Sequence, residues 1–344
     1  MGYGMMLVRL LPIRVLIPFL LILCTGSAVR GASNDEFVKL FGRGINLGNS
    51  LEAPKEGQWG VVLKAEYFRA IHEAGFRHVR VPISWAAHTA KAAPFTIDPV
   101  FLKRVDWVVD EALKNGLAVV VNDHHDDALN KDPVANRERF LSIWRQLAPH
   151  FQDRPTSVAL ELLNEPHDNF KDAQWNPMAA EALAIVRAKN PTRFVVIGGA
   201  SWNSIAGLET LKIPEGDNHI VATFHYYDPF PFTHQGASWA GPHANEWLGT
   251  TWEGTDKQKD EVRRKFDQAK RWADGHGVGL YLGEFGAYEK GAMDSRVRWT
   301  TFIAEEASER GLATAYWEFC AGFGAYDPVK KAWREPLKNA LVGR

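Results

Sequence analysis

Eight short apolar runs, separated by longer stretches with helical periodicity, recur along this chain from Gly42 onward. Alternation of this kind is typical of βα units arranged around a parallel sheet. The predicted strands are residues 44–49, 78–83, 118–124, 158–164, 194–198, 220–225, 280–284 and 313–317. Eight such units predict an α/β fold with a single closed (β/α)8 TIM barrel, an architecture that commonly occupies about 250 residues or more.

The segments between the strands read as amphipathic helices. Residues 101–115 place their apolar side chains on one stripe and end at a glycine, which predicts a helix with a glycine C-cap. Residues 262–273 repeat the stripe after Thr255 and Asp256, either of which is a suitable N-cap. The connection 228–253 is long and rich in Pro, Gly, His and Trp, so we expect it to serve function.

The balance of charges limits the partners that this protein can have. With 40 Lys and Arg against 41 Asp and Glu, the net charge is −1, and 46% of the residues are hydrophobic. This composition excludes a disordered chain and a nucleic-acid partner, and it favours a neutral substrate. The 13 Trp residues are suited equally to lining an open groove and to filling a large core.

The first thirty residues have the pattern of a secretory signal. Arg9 and Arg14 precede an apolar run from Val15 to Cys24, and small residues follow it. The uninterrupted run, residues 15–24, is too short for a bilayer, which needs about twenty residues, so no stable membrane span is expected. Cleavage is expected near Ala28 or Gly31, which predicts a secreted or periplasmic protein.

These boundaries divide the chain into a signal peptide, residues 1–31, and one domain, residues 32–344. Cys24 at the end of the apolar run leaves lipid modification as an alternative, although Leu23 is bulkier than such a processing site prefers. If cleavage removes Cys24, Cys320 is the one cysteine that remains, and we predict a buried, unreactive side chain there.

Polar side chains close nearly every predicted strand. The carboxyl ends of the strands face the active site in barrels of this kind, so these side chains are expected to share one cleft. One such residue carries little information, but eight strand ends with the same property do. The residues concerned are Asn49, Arg80, His124, His125, Asn164, Glu165, Ser201, Trp202, His225, Tyr227, Glu284, Trp317 and Glu318.

Glu165 and Glu284 form the most informative pair, because the fourth and seventh strands lie across the barrel mouth from each other. Glycoside hydrolysis needs one protonated and one ionised carboxyl group on either side of a bond. Arg80 near Glu284 would favour the ionised nucleophile, and burial of Glu165 would raise its pKa. Asn164 is placed to bind a sugar 2-hydroxyl, and Trp317 to stack under a pyranose ring.

A metal site is the competing interpretation of the histidines. His124, His125 and His225, with Asp123 or Asp126, include ligand types that a barrel hydrolase uses. Adjacent strand residues point to opposite faces, however, so only one of the tandem histidines is expected in the cleft. We therefore predict no metal and no cofactor, and we interpret the two aspartates as structural or solvated.

Six local motifs resemble those of glycoside hydrolase family five, the cellulase-type family. They are RGINLGN at 43–49, HVRVPISW at 78–85, LELLNEPH at 160–167, HYYDPF at 225–230, LGEFGAY at 282–288 and YWEF at 316–319. The resemblance extends from residue 41 to the C terminus and implies that residues 32–344 form a glycoside hydrolase catalytic domain. The order and spacing of the six motifs make it specific.

The resemblance also implies roles for individual residues. Glu165 would be the acid/base and Glu284 the nucleophile, and Arg80 and Tyr227 would support that nucleophile. The residues that would hold the sugar at the cleavage point are Asn164, His125, His225 and Trp317. Those that would shape flanking subsites are His124, Asn49, Glu52, Trp239 and Glu318.

Taken together, these features predict a retaining endo-β-1,4-glucanase that acts on β-linked polysaccharides by double displacement. Retention requires carboxyl groups about 5 to 5.5 Å apart, whereas inversion requires about 6.5 to 9.5 Å. A β-1,4-mannanase or a bifunctional glucanase and mannanase is the alternative within this chemistry. A carbohydrate-binding protein on a degenerate barrel and a metal-dependent barrel hydrolase are the alternatives from other classes.

Overall fold

A computed structural model of the chain describes residues 1–4 and 32–343. Most of the predicted signal peptide, with Cys24, lies outside the described residues. Eight parallel strands close a barrel in chain order, with the eighth paired to the first, which confirms the (β/α)8 prediction. They are β1 (Arg43–Asn46), β2 (His78–Val81), β3 (Ala118–Asn122), β4 (Val158–Glu161), β5 (Val195–Gly198), β6 (Ile220–Tyr226), β7 (Gly279–Phe285) and β8 (Ala313–Tyr316).

Helices fill every connection between consecutive strands, and one more precedes β1. They are α1 (Ala32–Phe41), α2 (Ala65–Glu73), α3 (Pro99–Lys114), α4 (Asp127–Lys131), α5 (Pro133–Phe151), α6 (Asp172–Arg187), α7 (Ile205–Thr210), α8 (Phe230–Thr233), α9 (Asp256–His276), α10 (Met293–Glu309) and α11 (Glu335–Val342). A small antiparallel pair, β9 (Tyr326–Asp327) and β10 (Ala332–Trp333), precedes α11. No helix of the described segments is long and apolar enough to cross a membrane.

Local sequence accounts for the helix boundaries that were predicted. Thr255 begins α9 with a capping box, in which its side chain and that of Gln258 each bind the other's backbone N–H. The apolar stripe of α9 is buried against the barrel. Gly116 follows α3 with a φ of +76°, a backbone conformation that favours glycine.

The strands differ from their predicted bounds mainly at the carboxyl ends. β1 ends at Asn46 and not at Asn49, and β4 ends at Glu161 and not at Asn164. The chain leaves the barrel at these points, and Asn49 and Glu165 then adopt left-handed backbone conformations that a strand excludes. The polar residues predicted to close the strands therefore mostly lie on the loops that follow.

The amino end of the barrel is sealed by α1. Phe37 and Phe41 are fully buried there, and the ring of Phe37 packs edge-on against Phe194 and Tyr281. The imidazole of His78 hydrogen bonds to the carbonyl of Phe41 at 2.7 Å and to the hydroxyl of Tyr281 at 2.9 Å. This end is therefore packed with aromatic rings, and both ring nitrogens of the buried His78 are paired.

Candidate active site

A cleft of about 960 Å³ opens at the carboxyl end of the barrel. All the residues predicted to share it do line it except Arg80, which lies beneath its floor, Ser201 and Glu318. The predicted residues in the wall are Asn49, Glu52, His124, His125, Asn164, Glu165, His225, Tyr227, Glu284, Trp239 and Trp317. The strand-end pattern therefore located one connected site.

The two carboxyl groups face each other across this cleft. Glu284 lies on β7, where its Oε1 accepts from Arg80 at 2.6 Å and its Oε2 accepts from the hydroxyl of Tyr227 at 2.9 Å. Glu165 follows β4, and its Oε1 lies 2.6 Å from Nδ1 of His225. One oxygen of each carboxyl group and a nitrogen of His225 all lie within 4.8 Å of one another. Both groups can therefore reach a single glycosidic bond.

Arg80 is fully buried and uses all five of its N–H donors. Two go to the carboxylate of Glu161, at 2.6 and 2.7 Å, and one goes to Glu284. The other two go to the side-chain oxygens of Asn46 and Asn164, at 2.8 and 2.7 Å. Sequence reasoning missed Glu161 and Asn46, although each is a buried polar residue in an otherwise apolar run.

The protein shields both carboxyl groups from water, and this raises the pKa of each. The Glu165 side chain is 24% exposed to the cleft, yet the surrounding protein raises its pKa to about 7. Burial also raises the pKa of Glu284, and His225 and Arg80 oppose that rise. Burial lowers the pKa of His225 to about 4, so its imidazole is neutral at pH 7. Only Glu284 has a guanidinium partner, which favours it as the ionised member of the pair.

Strained backbone is concentrated around the cleft. Asn49, Glu165, Ser201, Trp202 and Asn203 all have φ between +46° and +63°. Each such residue costs roughly 1–3 kcal/mol, a cost that commonly occurs where function sets the geometry. The strain aims the carboxyl group of Glu165 into the cleft and places the ring of Trp202, which is 53% exposed, at its rim.

The loop after β5 also holds Glu165 in place. With its amide oriented so that both polar atoms are paired, Asn203 donates to the carbonyl of Gly199 at 3.0 Å and accepts from the N–H of Glu165 at 3.3 Å. The ring of Trp202 stacks on that of His167 with centroids 5.1 Å apart. No sequence motif that we used indicated the role of Asn203, because the contact joins two separate strand ends.

Both tandem histidines line the cleft, so the prediction that only one would do so was wrong. β3 ends at Asn122, and the alternation of side chains in a strand no longer applies to the two residues beyond Asp123. His124 stacks on Trp317 with centroids 5.4 Å apart, and His125 contacts the edge of Trp59 at 5.6 Å. Trp59, which sequence analysis missed, therefore extends the aromatic wall.

The long connection after β6 also contributes to the wall of the cleft, which fits the functional role expected for it. It contains α8 and two short 3-10 turns, Ser238–Ala240 and Pro242–Trp247. Trp239 is 62% exposed at the rim, where its ring meets the edge of Tyr288 at 4.8 Å. Phe230 and His234 line the cleft beside it.

Glu52 and Glu318 bind backbone N–H groups of the loops around the cleft. Both are buried, and burial raises the pKa of Glu52 to about 8 and that of Glu318 to about 7. Glu318 does not line the cleft, so this residue shapes the loop after β8 and not a subsite directly. The N–H groups bound are those of Asn49 and Ser50 for Glu52, and of Cys320, Ala321 and Phe323 for Glu318.

Two further predictions concern side chains near the site. Cys320 is buried, as expected. Asp123 and Asp126 are also buried, and Asp126 pairs with Arg139 outside the cleft, which fits the structural interpretation.

Glu165, His225 and Glu284 form the one group in the described chain that has the spacing of a metal site. The 2.6 Å between Glu165 and His225 is a hydrogen-bond distance. Two ligands of one zinc ion, each about 2.0–2.2 Å from the metal, would lie roughly 3 Å or more apart. The donor set therefore fits a hydrogen-bonded acid and its partner better than it fits a zinc site.

Comparisons with known proteins agree with this site. The family model described as cellulase, glycosyl hydrolase family 5, matches residues 39–322. Endoglucanase H of Acetivibrio thermocellus is 42% identical over 85% of this chain, but the chain spans only 31% of that relative's length. Structures of Thermotoga maritima Cel5A, with mannotriose and with cellobiose, are 44% identical, with a TM-score of 0.88 over 90% of this chain and 100% of theirs.

A further solved structure, the cellulose synthase subunit Z from Clostridioides difficile, is 37% identical, with a TM-score of 0.85 over 88% of this chain and 99% of its own. The family model covers well over half of the chain and includes both cleft glutamates. The barrel, the paired carboxyl groups and these matches lead to one conclusion. The chain belongs to the cellulase family of glycosyl hydrolases, family 5.

Proposed function

We propose that this protein is a retaining endo-β-1,4-glucanase. The observation that carries the proposal is the short separation of the cleft carboxyl groups, with one oxygen of Glu165 and one of Glu284 within 4.8 Å. Inverting enzymes keep their carboxyl groups about 6.5 to 9.5 Å apart to leave room for water. The shorter separation supports direct attack by one carboxylate on the sugar.

Each step then has a named group. Glu165, protonated because of its raised pKa, donates to the leaving oxygen while the carboxylate of Glu284 attacks the anomeric carbon. Arg80 and Tyr227 hold that carboxylate through its two oxygens. Glu165 then removes a proton from water, which displaces the sugar from Glu284 with net retention. His225, neutral and 2.6 Å away, orients Glu165 in both steps.

The shape of the cleft supports cleavage within a chain. Exposed Trp side chains from three separate connections line the cleft, namely Trp202 after β5, Trp239 after β6 and Trp59 after β1. Aromatic rings bind the apolar faces of pyranose rings. A polysaccharide can therefore lie across the cleft with Trp317 beside the reacting sugar.

Mannan is a second substrate that a specific observation favours. Thermotoga maritima Cel5A, 44% identical to this chain, was solved with mannotriose as well as with cellobiose. Mannose and glucose units differ in the configuration of the 2-hydroxyl, the group that we expect Asn164 to bind. We propose that this chain hydrolyses glucans and accepts glucomannan or mannan.

We also propose export, with residues 1–31 removed as a signal peptide and residues 32–344 as the catalytic domain. The supporting observation is the run of apolar residues after two arginines. Amino-terminal sequencing of the exported protein tests this, and a first residue near Ser27 to Ala32 is expected. A fatty-acylated Cys24 would overturn it in favour of lipid anchoring.

Reducing-sugar release tests the activity. Carboxymethyl-cellulose, barley β-glucan and galactomannan are incubated with the wild type, Glu165→Ala and Glu284→Ala. We expect hydrolysis by the wild type and a loss of at least about a hundredfold in both variants. The ratio of rates among the three polymers ranks the substrates, and proton NMR of the first product reports the anomeric configuration. Variants that keep their activity would overturn the assigned site.

A further inference from the structure

A buried carboxylate that substrate does not reach lies beneath the two catalytic groups. Glu161 is the last residue of β4, is fully buried and does not line the cleft. Both of its oxygens bind the guanidinium of Arg80. The same guanidinium holds Glu284, so Glu161 and the nucleophile share one cation.

Glu161 and Glu284 do not share the guanidinium of Arg80 equally. Glu161 takes two of the five N–H donors of Arg80, and Glu284 takes one. A planar guanidinium held on one edge by a carboxylate has a fixed orientation, so its Nη1 is aimed at Oε1 of Glu284. The remaining donors go to Asn46 and Asn164, which completes the coordination of Arg80.

The charge balance follows from the same contacts. With Glu161 and Glu284 ionised, the three groups carry a net charge of −1, whereas Arg80 and Glu284 alone would be neutral. The transition state of glycoside hydrolysis is like an oxocarbenium ion and carries positive charge. A net negative site stabilises that charge, and a carboxylate that is not fully neutralised is the stronger nucleophile.

We propose that Glu161 is a positioning residue that sets the nucleophilicity of Glu284, because it orients Arg80 and offsets its charge. This inference rests on the proposed glycosidase function. Glu161 also lies close enough to Glu165 to help keep that group protonated. Removing its charge should therefore move the ionisation of both catalytic carboxyl groups to lower pH.

Other titratable groups act on the pair and must stay constant in a test. Around Glu284 they come from β2, from the end of β4 and from β6, and around Glu165 they include the residue two places further on. Besides Glu161, which the test varies, the groups are Arg80, Glu165, His225 and Tyr227 for Glu284, and Arg80, His167 and His225 for Glu165.

The chain offers a matched control. Glu306 on α10 is 3% exposed and binds Arg263 at 2.9 Å and Arg310 at 2.8 Å, outside the cleft. Glu306→Gln removes a buried carboxylate from arginine partners, as Glu161→Gln does. An effect that follows from the loss of any buried carboxylate should appear in both variants, whereas an effect on the nucleophile is expected only for Glu161.

The test measures the nucleophile directly. The wild type, Glu161→Gln, Glu161→Asp and Glu306→Gln are treated with the 2-deoxy-2-fluoro dinitrophenyl β-cellobioside, whose leaving group needs no proton from Glu165. Mass spectrometry follows covalent labelling of Glu284 from pH 3 to 8. For Glu161→Gln we expect the acidic limb of the labelling rate to lie at a pH lower by about half a unit or more. The maximum labelling rate should be lower by about tenfold.

Glu161→Asp keeps the charge but is too short to reach both Nε and Nη2 of Arg80, so it offsets the charge of Arg80 less well, and a smaller shift in the same direction is expected. Glu306→Gln should follow the wild type. The inference would be overturned if Glu161→Gln had the same acidic limb and the same maximum labelling rate as the wild type. If that variant does not fold, wild-type values for both quantities in Glu161→Asp would overturn it. A wild type that is not labelled at Glu284 would instead contradict the proposed function.

Discussion

The same eight strands form both ends of this barrel, but one end is closed by packing and the other is open as a cleft. At the amino end, α1 covers the opening with Phe37 and Phe41, and buried polar atoms such as those of His78 are paired. At the carboxyl end, the backbone is strained, and carboxyl groups with raised pKa values face an open cleft. The comparison indicates that stability is concentrated at one end and the cost of function at the other.

Arg80 lies at the cleft end but should contribute to both stability and activity. Its replacement is therefore expected to have the largest combined effect on the two properties. Arg80→Met leaves the buried carboxylates of Glu161 and Glu284 without a counter-ion, which costs about 3–5 kcal/mol of the free energy of unfolding. Hydrolysis should fall by at least about a hundredfold in the same variant. Urea unfolding and carboxymethyl-cellulose hydrolysis measure the two effects.

Arg264→Met provides the control, since Arg264 is exposed and pairs with the exposed Glu261 at 4.0 Å. Its loss should change the stability by less than about 1 kcal/mol. Wild-type stability in Arg80→Met would show that the cleft end carries no structural charge pair.

Phe41→Ala tests whether the amino end of the barrel contributes to stability without affecting catalysis. Removing a fully buried ring from the amino-end cluster should cost about 3–5 kcal/mol of the free energy of unfolding. The rate per folded molecule should stay at the wild-type value, because the cleft opens at the far end of the strands. Thermal unfolding and kcat on β-glucan check this, and a several-fold lower kcat would mean that the two ends are energetically linked.

Tyr227→Phe should lower activity with little effect on stability. The variant removes the hydrogen bond from the hydroxyl to Oε2 of Glu284, and bonds to charged groups contribute about 1.5–3 kcal/mol. The expected loss in kcat/KM is therefore roughly 10- to 100-fold. Tyr326→Phe is the control, since its ring stacks on Phe319 outside the cleft. Equal activities in the two variants would remove Tyr227 from the mechanism.

The pH profile should reflect the raised pKa of Glu165. The protonated form is the one that donates, so kcat/KM falls as the pH rises through about 7, approaching tenfold per unit above it. The profile is measured with an aryl cellobioside that has a poor leaving group. A dinitrophenyl cellobioside, which needs no proton, should keep its rate at alkaline pH. If the two substrates lost rate in parallel at alkaline pH, the fall in kcat/KM would have to be assigned to a group other than Glu165.

Chelation should have the smallest effect. His225 and Glu165 already bind each other at 2.6 Å, and the proposed steps use only side chains. Hydrolysis after treatment with EDTA and dialysis is expected to equal that of the untreated enzyme. A loss that added metal restores would favour the metal-dependent alternative.

Much of the architecture could be predicted because it depends on local patterns. Eight apolar runs with helical segments between them specify βα units, and a parallel sheet of eight such units closes on itself. Thr255 and Asp256 before a helical stripe were enough to locate the start of α9 to within one residue, and the structure then assigned the N-cap to Thr255. The strand-end residues also identified most of the cleft, since chain direction alone places them at one end of the barrel.

The sequence by itself therefore determined the barrel, the end at which the cleft opens and the two glutamates in it. Only the tertiary structure decided that Glu161 and Glu284, 123 residues apart in sequence, share Arg80. It also decided that both tandem histidines face the cleft. Hydrogen-bond geometry and pKa depend on atoms brought together from distant segments, and periodicity along one segment carries no information about them.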